Sequence, residues 1–258
     1  ASMHIPKKRF GQNFLVDESI IQAIVRAISP MPKDRMIEIG PGLGALTRPL
    51  LQSLDHLHVV EIDRSIVQHL LATFPPEKLT IHECDALRFD FSGIGDKVRV
   101  VGNLPYNIST PLLFHLASFG THIADMHFML QKEVVDRMIA EPSTHDYGRL
   151  SVMLQQRFAM EKLFEVPPSA FKPAPKVDSA IVRMVPYNVS PYQVSNMELF
   201  SRIVSDAFMH RRKTLRNSLG SHLTTDDFAS VGIEGGLRAE NLSVADYAKI
   251  CAYLDSRG

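Results

Sequence analysis

The tetrapeptide Asn103-Leu104-Pro105-Tyr106 combines a side-chain amide, carbonyl oxygens on a proline-stiffened turn and an aromatic face. Such a set suits a planar base bearing an amino group. The oxygens accept its N–H bonds and the ring covers its face. A second set lies upstream. Gly40, Gly42 and Ala45 in GPGLGA satisfy the G-x-G-x-x-G/A pattern, and Glu61 follows about 20 residues on. The glycines remove side chains where a ligand must touch backbone. A carboxylate at Glu61 can accept from both hydroxyls of a ribose. These features admit a nicotinamide dinucleotide and S-adenosylmethionine alike. Two others favour S-adenosylmethionine. Asp85, directly after an apolar stretch, can accept from the exocyclic amine of an adenine ring. Pro41 removes one backbone donor between two glycines, and a pyrophosphate cradle needs such donors.

The elements that must position these residues alternate in type. Arg35–Gly40, Leu57–Ile62, Leu79–Cys84, Val98–Gly102 and Met126–Leu130 read as strands. Leu43–Leu54, Asp63–Phe74, Pro111–Ser118, Lys132–Ala140 and Arg149–Gln156 read as helices. Ser109 or Thr110 is the expected N-cap of the third, with Pro111 at its first helical position. Ahead of them, Asp17 caps a helix with apolar residues from Ile20 to Ile28 at helical spacing. Strand–helix alternation predicts a mostly parallel α/β sheet that binds ligands at the carboxyl ends of its strands. Phe158–Val166 and Ala180–Val185 follow without a helix between them, which predicts an antiparallel hairpin at one sheet edge. Beyond Pro186 only helices are expected, over Met197–Ser218, Thr225–Ser230 and Ser243–Leu254. The expected division is residues 1–186 and a small all-helical domain of residues 187–258.

The chain has 258 residues, with 28 basic and 28 acidic side chains. Zero net charge means that a nucleic-acid partner would have to be met by local clusters. Lys7, Lys8 and Arg9 form one. Arg211, Arg212, Lys213 and Arg216 form another on one predicted helix, where Arg212 and Arg216 share a face. Two cysteines without metal-ligand spacing, and scattered histidines, predict no metal site. They also predict free thiols in a reducing, cytoplasmic setting. No apolar run reaches membrane-spanning length, so no membrane partner is expected.

Taken together, GQNFLVD (11–17), EIGPGLGALT (38–47), VEID (60–63), NLPYNIS (103–109), QKEVVDR (131–137), FKPAPKVDS (171–179) and RRKTLRNSL (211–219) resemble one family. It is the ribosomal RNA small-subunit adenine-N6,N6 dimethyltransferases, the kasugamycin-sensitivity methyltransferases. The resemblance implies a Rossmann-like class I methyltransferase sheet with a helical RNA-recognition domain. It implies S-adenosylmethionine contacts at Asn13, Leu15, Gly40, Glu61, Asp85 and Asn103, beside the Gly42 of the glycine turn. It puts Phe171 beside the site, able to stack on the target base with Tyr106. The general adenine-N6 signature has proline where this chain has Leu104, and the family accepts leucine there. The implied substrate is two adjacent adenosines near the 3′ end of small-subunit ribosomal RNA within an assembling particle, acted on by a monomer. The alternative is a non-catalytic assembly or transcription factor that retained the fold. The intact Gly40, Glu61, Asp85 and Asn103–Tyr106 argue against a degenerate site.

Overall fold

A computed structural model describes residues 13–258. Lys7, Lys8 and Arg9 lie outside the described residues. The elements run β1 (Phe14–Leu15), α1 (Glu18–Ile28), β2 (Met36–Ile39), α2 (Thr47–Ser53), β3 (Leu57–Glu61), α3 (Arg64–Thr73), β4 (Leu79–Glu83), β5 (Val98–Asn103), α4 (Ser109–Ala117), β6 (Ile123–Gln131), α5 (Lys132–Ile139), α6 (Arg149–Gln155), β7 (Phe158–Val166), β8 (Phe171–Lys172), β9 (Ser179–Pro186), α7 (Met197–Met209), α8 (Leu215–Ser218), α9 (Thr225–Val231) and α10 (Val244–Asp255). The described residues divide into two compact units, residues 13–135 with 160–186 and residues 136–159 with 187–258. No helix among the described residues is long and apolar enough to cross a membrane.

In the first unit a seven-stranded sheet has the order β4-β3-β2-β5-β6-β9-β7. β2, β3, β4, β5 and β6 pair in parallel, and β9 runs antiparallel to β6. The edge pair expected at the end of the sheet is therefore β9 and β7, with β9 as the inner strand. All four residues of β2 are buried, as a strand covered on both faces requires. A second, two-stranded sheet pairs β1 with β8, Leu15 opposite Phe171. Phe14 and Leu15 are thus tied to a segment far along the chain.

Helix bounds differ from expectation where backbone conformation intervenes. α2 begins at Thr47, not Leu43, because Gly44 adopts φ +94°, which no right-handed helix contains. α4 begins at Ser109 and carries Pro111 as its third residue. Neither Ser109 nor Thr110 is the N-cap. Ile108 holds that position, and the Ser109 hydroxyl donates to the Tyr106 carbonyl at 3.0 Å. Proline fits there because the first four helical N–H groups have no intrahelical partner.

α1 is seated by its ends. Asp17 accepts from the N–H groups of Ser19 and Ile20, and Ile21, Ile24 and Ile28 are buried. At the other end, Arg99 of β5 donates to the carbonyls of Ile28 and Ser29 and pairs with Asp34 at 2.8 Å and Asp125 at 2.9 Å. One guanidinium thereby ties the helix to the sheet, and through it β1.

In the second unit α9 and α10 open with reciprocal caps, Thr224 with Asp227 and Ser243 with Asp246. The buried hydroxyls of Tyr147 and Tyr247 donate to Leu242 at 2.7 Å and Ala239 at 2.6 Å. The single helix expected over Met197–Ser218 is broken: α7 stops at Met209. Thr214 bridges Arg238, and the Leu215 N–H donates to the Leu237 carbonyl at 2.8 Å. The chain leaves the helix to make these strand-like bonds.

Arg99→Met should leave Asp34 and Asp125 without their shared cation. Urea unfolding is expected to show a loss of about 2–4 kcal/mol.

Candidate active site

Parallel pairing sets the site. Ile39 of β2 lies opposite Gly102 of β5, and Asn103 lies opposite Met129 of β6. The carboxyl ends of β2, β3, β5 and β6 therefore open on one edge. A cavity of about 610 Å³ lies there. Its lining includes the glycine turn, Glu61 and Ile62, and also Tyr106, Phe171 and Val177.

Gly40 and Gly42 adopt φ +65° and +55°. That is the left-handed region, where a side chain is strained. A Cβ on Gly42 would also lie 3.0 Å from the Phe14 ring. Phe14 thus lies against the turn, held by the β1–β8 pairing and by the bonds from the Val16 and Asp17 N–H groups to the Ala170 carbonyl.

The expected residues fall into three groups. Asn13, Leu15, Gly40, Gly42, Glu61, Asn103, Leu104, Pro105, Tyr106 and Phe171 all line the cavity. Within it, Leu15 and Phe171 belong to the core cluster, whereas Tyr106 is 57% exposed. Asp85 does not line the cavity; its carboxylate accepts from the Leu87 N–H at 3.0 Å and caps a short 3-10 turn. In the second unit, Arg211, Arg212 and Lys213 lie in the turn after α7, not on a helix shared with Arg216. The shared face of Arg212 and Arg216 is therefore lost, because the helix ends before either. Arg211 is engaged by the His145 carbonyl and by Glu240 at 3.5 Å, while Arg212, Lys213 and Arg216 are exposed.

Sequence reasoning missed several cavity residues, and two of them bear on the ligand's charge and shape. Ile62 is 64% exposed next to Glu61 and adds apolar surface to the cavity. Its signal was an isoleucine just past a strand end, beyond the buried alternation. Glu38 stands in the glycine motif and is 1% exposed. Thr47 donates to it at 2.6 Å. Burial pushes its carboxyl up to about 7, the negative charge of Glu61 adds to this, and the Thr47 hydroxyl opposes both. Glu61 is also raised by burial, against the Asp63 N–H that donates to it at 2.9 Å.

Among the described residues the lining thus holds the acidic side chains Glu38, Glu61 and Asp63 against one cation, Arg48. An acidic lining suits a ligand carrying a sulfonium and an ammonium and opposes a pyrophosphate. With the open glycine turn and the Glu61 carboxylate, the residues present fit S-adenosylmethionine.

The chain is similar to known proteins along nearly its whole length. The profile of the family described as ribosomal RNA adenine dimethylase matches residues 3–256. The ribosomal RNA small subunit methyltransferase A of Thiobacillus denitrificans is 60% identical over 255 residues, covering 99% of this chain and 100% of that protein. That of Nitrosospira multiformis is 62% identical over 252 residues, covering 98% and 97%. Among solved structures, a dimethyladenosine transferase from Plasmodium falciparum superposes with a TM-score of 0.82 at 25% identity, covering 95% of this chain and 98% of its own. The 23S rRNA methyltransferase ErmE gives 0.71 at 25% identity, covering 94% and 100%.

Glu38 yields a pH prediction. Its folded pKa of about 7 lies above the ordinary 4.5. Between those values the folded chain keeps a proton that the unfolded chain has lost, so stability falls as pH rises through this window. A cationic cofactor favours the ionised form, so its affinity should rise as pH increases through about 7. Calorimetric titration with S-adenosylmethionine at about pH 6 and about pH 8 should show that rise, and Glu38→Gln should flatten it.

Proposed function

Since the chain belongs to the ribosomal RNA adenine dimethylase family, we propose that it methylates the N6 amines of two adjacent adenosines near the 3′ end of small-subunit ribosomal RNA. It is an S-adenosylmethionine-dependent adenine dimethyltransferase. The finer reading extends to its setting: a monomer in the cytoplasm that acts on an assembling small-subunit particle. Two free thiols among the described residues accord with a reducing compartment.

The observation that carries the mechanism is the polarity of one amide. The Asn103 Nδ2 donates to the Asn13 carbonyl at 3.4 Å, which leaves Oδ1 as the acceptor. The Leu104 N–H donates to the Met129 carbonyl at 3.1 Å, and the Pro105 and Tyr106 carbonyls accept from the Ile108 N–H and the Ser109 hydroxyl, so the turn is pinned while the Leu104 carbonyl stays available among the described residues. An exocyclic adenine amine is a poor nucleophile because its lone pair is delocalised into the ring. Oδ1 of Asn103 and the Leu104 carbonyl can accept its two N–H bonds and draw the nitrogen towards a tetrahedral form. S-adenosylmethionine, when bound, supplies the electrophilic methyl group. Most of the acceleration then comes from alignment. The nitrogen is neutral at the outset, so no general base is needed and the released proton passes to solvent. After the first transfer one N–H remains to orient the amine for the second.

The base must leave its stack to reach the cavity. Tyr106, more than half exposed, offers an accessible ring face, and the buried Phe171 lines the same cavity. Glu61 would hold the cofactor ribose and Ile62 one face of its adenine, with Asn13, Leu15, Gly40 and Gly42 along the remainder. Asp85 would serve the adenine through Oδ2, since the Leu87 cap engages only Oδ1. The exposed Arg212, Lys213 and Arg216, with Lys7, Lys8 and Arg9, would track phosphates.

Labelled S-adenosylmethionine with undermethylated small subunits or naked RNA, followed by mass spectrometry of the modified bases, tests the reading. Label on two adjacent adenosines is expected; no label on either substrate would sink it. Asn103→Ala should lower transfer about 100-fold or more while largely sparing cofactor binding. Glu61→Ala should instead weaken cofactor affinity about 10- to 100-fold, seen by calorimetry.

A further inference from the structure

QKEVVDR opens with Gln131, which has no part in the mechanism above. It is the last residue of β6 and lines the cavity. Its backbone is held from the β9 side. Gln131 lies opposite Ser179, and the next residue's N–H donates to the Asp178 carbonyl at 2.9 Å. The side chain is half-buried, and its amide has no hydrogen-bond partner among the described residues.

Strand periodicity puts this amide on the reacting side. Asn103 lies opposite Met129, and Gln131 follows Met129 by two residues, so the three side chains share one face of the sheet. Strand spacing and rise place the Asn103 and Gln131 Cα atoms roughly 8 Å apart. Two amide side chains and one base edge can span that distance. Leu104, whose carbonyl is the second acceptor for the amine, is anchored on the Met129 carbonyl between them. A base whose amine is held by Asn103 and Leu104 thus presents its edge towards Gln131.

We propose that Gln131 is a specificity-determining residue. Its amide N–H donates to a ring nitrogen flanking the target amine, N1 on the Watson–Crick edge or N7 on the Hoogsteen edge. Both are acceptors in adenine. This contact fixes the rotation of the base in its own plane, which the amine's two N–H bonds and the stacking ring leave loose. The proposal rests on the placement of the amine at Asn103 and Leu104.

The test uses the full chain and RNA substrates carrying adenosine, 1-deazaadenosine or 7-deazaadenosine at the target positions. Gln131→Glu keeps the shape and removes the donor; Gln131→Ala removes the side chain. Thermal unfolding and cofactor affinity are measured alongside. On adenosine both variants should raise the RNA KM about 3- to 10-fold with the cofactor KM unchanged. On one of the two deaza substrates wild type should show the same rise, and the variants should add nothing to it; which analogue does so identifies the nitrogen. Full wild-type activity on both analogues, or variants that still differ from wild type on both, would overturn the proposal, and the wild-type arm stands even if a variant fails to fold. Asn103→Ala is run in parallel. If it keeps activity, the placement of the amine falls and this inference with it. If it is inactive while the Gln131 variants match wild type, only the role of Gln131 falls.

Discussion

A Cβ at position 102 would lie 2.4 Å from the Ile39 carbonyl oxygen. No side chain tolerates that approach, so only glycine lets β5 end flush against β2. This contact decides where the site is. It puts Asn103, the next residue, beside the glycine turn that follows Ile39; a Cβ on Gly40 would meet the Asn103 carbonyl at 3.5 Å. The acceptors for a target amine and the turn that receives a cofactor are thereby held by backbone geometry, which costs nothing to reorganise at the moment of reaction.

The second constraint is electrostatic. Placing Glu38 and Glu61 in the wall of one cavity is unfavourable for the chain alone, and burial raises both carboxyls. Backbone N–H groups and the Thr47 hydroxyl offset part of that cost. A cationic ligand offsets the rest. The same arrangement that is unfavourable for the chain alone therefore selects the sign of the charge that enters the cavity. A dinucleotide fold and a methyltransferase fold share the glycine turn, and the charge of the lining separates them.

Long-range ties complete the cavity. Arg99 holds the carboxyl end of α1, and the β1–β8 pair holds what precedes it. Phe14 reaches Gly42 and the Asn13 carbonyl reaches Asn103 only because of these ties. In the second unit the break after Met209 turns an expected helical stripe of positive charge into an exposed turn. Arg211 spends its guanidinium on Glu240 and a carbonyl, leaving Arg212, Lys213 and Arg216 to face solvent.

Much of this was legible in the residues themselves. Alternating apolar stretches and helical periodicity are local properties, so the parallel sheet, its ligand-binding edge and the glycine turn could be read directly. So could Glu61 and Asn103–Tyr106, whose positions follow from strand ends. The Asp17 and Ser243 caps depend on neighbours within one turn and were equally readable. Only the tertiary structure decided the rest. Two-residue strands have no periodicity, so the β1–β8 pair could not be seen in Phe14-Leu15. Thr214 leaves the helical path for Arg238, a partner distant in sequence. The place of Asp85 outside the cavity lining, and that of Gln131 within it, depends on how far each strand runs before its neighbour stops. That is a property of pairing between strands, which no single strand encodes.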